Sequence, residues 1–135
     1  MSGKAFFDTN ILLYLLSGDS AKADRAEELL AGGGVVSVQV LNEFTHVARR
    51  KLQLSWLELA EILETVRAIC TVEPLTVDTH DLGRDLAIRY AFAVYDAMIV
   101  AAALQSGADT LYSEDFQSGL RVDKKLTVRN PFTKR

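Results

Sequence analysis

Asp8, Glu43, Asp96 and Asp115 are the residues of this chain best placed to do chemistry. Each is expected where an element begins or ends, beside apolar sequence that should be buried. Asp96 is the clearest case, in Tyr95-Asp96-Ala97-Met98-Ile99-Val100-Ala101-Ala102-Ala103-Leu104. A segment apolar on every side is a buried helix. An ionised carboxylate in its first turn is costly to desolvate unless something positive meets it. A helix N-terminus contributes only about 0.3–1 kcal/mol toward that. Two carboxylates about 5 Å apart repel by roughly 3 kcal/mol at an effective dielectric of ~20, and crowding raises their pKa values. A hard divalent cation with oxygen ligands, Mg²⁺ or Mn²⁺, removes the conflict. The chemistry that uses such a centre is phosphodiester hydrolysis. One ion activates a water, and a second, where present, steadies the leaving oxygen.

The elements that must bring these acids together are legible in outline. Lys4 to Phe7 reads as a short buried strand ending at Asp8. Helical stretches follow from Asn10 to Leu16 and from Ala21 to Ala31, the second stopped by Gly32-Gly33-Gly34. Val35-Val36 is a second strand, and Ser37 is placed to cap a helix through Lys51. Ser55-Trp56-Leu57-Glu58 has the form of a capping box. A third strand spans Ile69 to Val72, and Asp78 is placed to cap a helix to Tyr90. After the buried helix come strands at Thr110 to Tyr112 and Leu126 to Val128. Strands alternating with helices imply one α/β domain over residues 1–135. Its layers would be α/β/α, around a mostly parallel, roughly five-stranded sheet. Ligands of such sheets sit beyond the carboxyl ends of the strands. Asp8, Glu43 and Asp115 belong at that rim. Asp96 joins them if its helix runs antiparallel to the strands.

Composition narrows the partners. The net charge of −3 is not the footprint of a protein that holds nucleic acid by bulk charge. Nucleic-acid affinity would have to come from a local basic patch or from bound cations. Arg49, Arg50 and Lys51, at a helix C-terminus, suit the macrodipole and are candidate phosphate contacts. The apolar run from Ala97 to Leu104 is too short to span a bilayer. No N-terminal signal pattern is expected, and Cys70 is alone, which fits a cytoplasmic home. His46 and His80 read as surface or hydrogen-bonding residues, and no Cys/His spacing suits zinc. Tyr14 and Trp56 read as core or interface residues rather than base-stacking platforms. Ser113 offers a hydroxyl to a water or a substrate phosphate, or a turn. The acids could alternatively serve a non-catalytic interaction module that binds a basic segment or one structural cation.

Phe7-Asp8-Thr9-Asn10-Ile11-Leu12 resembles the opening motif of PIN-domain ribonucleases. Asn42-Glu43-Phe44, Tyr95-Asp96-Ala97-Met98-Ile99 and Ser113-Glu114-Asp115-Phe116 match its later acidic motifs in order, and Asn130-Pro131-Phe132 resembles the close of many small members. The resemblance is nearest to the VapC type, the toxin half of toxin–antitoxin pairs. It implies a Mg²⁺- or Mn²⁺-dependent endoribonuclease acting on RNA, with Asp8, Glu43, Asp96 and Asp115 as the metal-binding acids. It also implies that Asn10 steadies Asp8 by hydrogen bonding and that Ser113 fills the hydroxyl position before the last acid. A homodimer and a VapB-like antitoxin are implied as well. The antitoxin would lie over a groove framed by the helices at Asn10 to Leu16, Ala21 to Ala31 and Leu57 to Ala68.

Overall fold

A computed structural model describes residues 3–132. Six strands form one sheet: β1 (Ala5–Phe7), β2 (Gly34–Ser37), β3 (Cys70–Glu73), β4 (Thr110–Tyr112), β5 (Arg121–Val122) and β6 (Leu126–Arg129). Their order is β3-β2-β1-β4-β6-β5, and every pairing is parallel except β5 with β6. The helices are α1 (Thr9–Tyr14), α2 (Ser20–Ala31), α3 (Val38–Arg50), α4 (Trp56–Ile69), α5 (Val77–Tyr90) and α6 (Val94–Gln105). The expected α/β architecture is what forms, with one strand more than the five anticipated.

Strand β1 is central: Phe6 and Phe7 are wholly buried, and Phe6 pairs with Val35 of β2 on one side and Leu111 of β4 on the other. The chain leaves β1 toward β2 and β3, then returns to the other side of β1 with β4. The order therefore reverses between β1 and β4, where open α/β sheets form a crevice at the strand ends. Asp8 follows β1 directly, and its backbone N–H donates to Tyr112 O at 3.0 Å. The register Phe7↔Tyr112 then sets Asp8 beside Ser113.

Caps fix where the helices start. Ser37 accepts from the Val40 N–H, and Ser55 and Glu58 complete the expected capping box. The cap of α5 is Thr76 rather than Asp78: Thr76 and Thr79 exchange bonds with each other's backbone N–H. The apolar neighbours of Thr76 hid that signal, and Asp78 falls inside the first turn. Helix α6 is the buried one, with Ala97 to Ala103 all in the core. Among the described residues no single helix is long and apolar enough to cross a membrane.

Candidate active site

The four acids arrive by different routes. Asp8 is the N-cap of α1 and only 1% exposed. Glu43 stands in the second turn of α3, half-buried. Asp96 lies in the first turn of α6, half-buried. It caps nothing, since no side chain bonds that helix end. Asp115 lies past β4, exposed. An open cleft of about 690 Å³ is lined by Glu43 and Asp115, together with Thr9, Asn42, His46 and Tyr95.

The charges of Glu43 and Asp115 reach both Asp8 and Asp96. Burial, helped by the charges of Asp115 and Glu43, pushes the Asp8 carboxyl up to about 7, against hydrogen bonds from Ser113 and from the Thr9 N–H. Asp96 is raised as well, first by burial and then by the charges of Asp115 and Glu43. Carboxylates from four parts of the chain thus share one field.

Neutral donors hold the acids in place. The Ser113 hydroxyl donates to Asp8 Oδ2 at 2.6 Å and accepts from the Asp115 N–H at 2.9 Å. Ser113 therefore ties the end of β1 to the loop that carries Asp115, and its wholly buried hydroxyl faces a carboxylate rather than a substrate. The Thr9 hydroxyl donates to Glu43 Oε1 at 2.7 Å, while the Thr9 N–H donates to Asp8 Oδ1 at 2.7 Å. Gln39 Nε2, one turn before Glu43, donates to its other oxygen at 3.0 Å. Thr9 and Gln39 were not singled out from sequence; a threonine beside a candidate acid and a glutamine four residues before another were the available signals.

Asn10 is a correction. It does not hydrogen-bond Asp8; both polar atoms of its amide are buried without a partner. Ser113 and the Thr9 N–H already supply the Asp8 donors.

Aromatic contacts brace the loops behind Asp96 and Asp115. Phe92 stacks on Tyr90 with centroids 5.3 Å apart and meets the edge of Phe116 at 5.2 Å. The Tyr90 hydroxyl donates to Asp123 Oδ1 at 3.0 Å, and Arg89 grips the same carboxylate through two nitrogens. The α5–α6 turn, the Asp115 loop and the β5–β6 hairpin are fastened to one another.

The basic triplet lies apart from the acids. Arg49 donates to Leu54 O at 2.8 Å and sits 4.4 Å from the Trp56 ring centroid. Arg50 is exposed. Lys51 lines a neighbouring cleft that shares Asn10, Leu13 and Val47 with the acidic one. Lys134 and Arg135 of the basic tail lie outside the described residues.

The donor set is all oxygen, which suits a hard divalent cation. Among the described residues, no three Asp, Glu, His or Cys side chains stand close enough to ligate one ion together.

Comparison with solved structures places the fold. The VapC20 toxin of Mycobacterium tuberculosis, described as cleaving the sarcin–ricin loop, is similar at 22% identity and a TM-score of 0.67, over 83% of this chain and 90% of that one. A toxin–antitoxin complex from Klebsiella pneumoniae is similar at 20% identity and a TM-score of 0.71, over 96% and 98%. The DNA-bound VapBC of Salmonella typhimurium is similar at 16% identity and a TM-score of 0.68, over 96% and 99%. No curated protein sequence matches this chain. The sequence does match the family model described as PIN domain over residues 5–123, and the chain belongs to the PIN domain family.

Proposed function

We propose that this PIN domain is a divalent-metal-dependent endoribonuclease selective for single-stranded RNA, acting as the toxin of a type II toxin–antitoxin pair. The observation that supports the reading is that Glu43 and Asp115 line one cleft and that their charges bear on both Asp8, at the end of β1 where the strand order reverses, and Asp96. Four acids in one field need a counterion, and phosphodiester hydrolysis needs the same ion. Asp8, Glu43, Asp96 and Asp115 are the residues that would hold Mg²⁺ or Mn²⁺. When bound, the cation supplies a Lewis acid for the phosphate and acidifies a water. Thr9, Gln39 and Ser113 keep the carboxylates oriented, so little reorganisation is left for the reaction itself.

The neighbouring structures support the toxin assignment, since those described above are a toxin and toxin–antitoxin complexes. An apolar groove fits the expected antitoxin. It runs between α1, α2 and α4 and is lined by Leu15, Leu16, Leu30, Ile62, Val66 and Ile69. A helical antitoxin segment would lay its apolar face there. A homodimer and a cytoplasmic site of action belong to the same proposal.

The test is incubation of the pure protein with structured RNA in Mg²⁺, in Mn²⁺ and in EDTA. Cleavage confined to the metal arms and lost in Asp8→Asn is the expected result. Equal cleavage in EDTA, or by Asp8→Asn, refutes it. A second reading, a non-catalytic module, draws on the spacing of the acids as they stand. Metal that raises the melting temperature while no RNA is cut would favour it.

A further inference from the structure

Trp56 is the only tryptophan of the chain, and it is 64% exposed in the first turn of α4. The ring is not in the core: it stands largely in solvent, as an interface residue of an isolated chain also would. The ring is nonetheless held. The Arg49 guanidinium lies 4.4 Å from its centroid, and Arg49 is anchored through its bond to Leu54 O. A cation on one side fixes an aromatic plane whose surface stays mostly open.

Helix α3 connects the acidic cleft to this ring. Asn42 and His46 line the cleft, and Arg49 follows at i+7 from Asn42. Positions i, i+4 and i+7 share one helical face. All three side chains are exposed, and exposed Arg50 adds a second cation beside them. From Asn42 to Arg49 the helix rises roughly 10 Å, a span of one to two nucleotides of single strand. Tyr95, 67% exposed and also lining the cleft, offers a second aromatic surface at the acidic end. Aromatic surfaces joined by a cationic face match the chemistry of single-stranded nucleic acid, which stacks its bases and pairs its phosphates with cations.

We propose that single-stranded RNA leaving the acidic cleft runs along this face of α3 and stacks a base on Trp56. The proposal rests on the nuclease reading and adds a substrate subsite outside the acids. Charge complementarity favours RNA over a protein partner here, because Arg49 and Arg50 stand beside the ring in a chain whose net charge is −3.

The test reads Kd from the fluorescence anisotropy of a dye-labelled 2′-O-methyl oligonucleotide that cannot be cut, with the full chain in EDTA, and uses the sole tryptophan as a second reporter. Saturation should quench Trp56 emission. Trp56→Ala should raise Kd by about 5- to 150-fold, a size expected for one lost base stack, and Trp56→Phe should recover most of the affinity. Arg50→Gln should flatten the dependence of log Kd on log salt by about 0.7 if it meets one phosphate. Because Trp56 is exposed, circular dichroism of Trp56→Ala should match the unsubstituted chain. RNA that binds without changing Trp56 emission, and equally well to Trp56→Ala, overturns the proposal and leaves the ring to a protein contact. Cleavage in the metal arms with an unresponsive Trp56 overturns this subsite alone; absence of both binding and cleavage overturns the nuclease reading as well.

Discussion

Asp8 combines deep burial with negative neighbours, and the pH dependence of the metal-free protein follows from it. Its carboxyl, near 3.8 when free, is pushed up to about 7 in the folded chain. Between those values the folded state binds more protons than the unfolded state, so stability falls as pH rises from about 4 to about 7 and then levels. The shift of about three pKa units corresponds to roughly 4 kcal/mol at most. Thermal melts in EDTA should show this decline, and Asp8→Asn should remove most of it; a flat wild-type profile would contradict the assigned burial. Asp96 differs in kind. Its side chain makes no cap bond, so Asp96→Ala relieves repulsion and breaks nothing. Urea melts at pH 8 in EDTA should move by less than about 1 kcal/mol, whereas a loss beyond about 2 kcal/mol would mark a structural cap. The four acids could be read from sequence because a carboxylate beside buried apolar residues is conspicuous. Thr9 was hidden because a hydroxyl is unremarkable until folding carries Glu43 to it across 34 positions; Gln39, four residues before Glu43, is a local pair whose amide matters only once Glu43 is known to be a site residue.

At the scale of elements, the site depends on how closely β1 and β2 approach. Gly34 opens β2, and a Cβ there would stand 2.7 Å from the Ala5 carbonyl oxygen and 2.6 Å from a Phe7 ring carbon. The carbonyl belongs to the strand and cannot swing aside, and the Phe7 ring is wholly buried. Gly34→Ala should therefore cost about 2–3 kcal/mol by overpacking. It should also reduce RNA cleavage, because β1 delivers Asp8 to the rim. Gly18→Ala, with nothing within 4 Å of the added carbon, is the control and should stay within about 0.5 kcal/mol. Denaturant melts of the two variants compare them directly, and equal stability would mean that the strands can separate at little cost. Most elements were legible because apolar period, glycine stops and serine caps agreed with one another. Strand β5 was not. It has two residues, and its turn into β6 uses Asp123 and Lys124 at φ 52° and 60°, with no glycine to announce it. Arg89 and Tyr90 hold that turn from outside the hairpin, so the cause of the strand lies some 30 positions away in the chain.

For the molecule as a whole, the acids, the strand reversal and the pH dependence combine into one linkage. A cation held by Asp8 and its neighbours must displace the proton that burial favours, so metal affinity and protonation oppose each other. At pH 8 Asp8 is largely ionised, and the folded chain presents its full negative field to the ion. At pH 5 the ion must first expel a proton. Binding to the native state alone stabilises by RT ln(1 + [L]/Kd), about 2.7 kcal/mol at a hundredfold excess over Kd. Mg²⁺ or Mn²⁺ should therefore raise the melting temperature clearly at pH 8 and far less at pH 5. Asp8→Asn and Glu43→Gln should each abolish most of the rise at pH 8. Arg50→Gln, on the exposed face of α3, should leave it intact. A rise equal at both pH values, or one that survives in Asp8→Asn, would place the ion elsewhere on the molecule and separate the acidic cleft from the metal chemistry proposed for it.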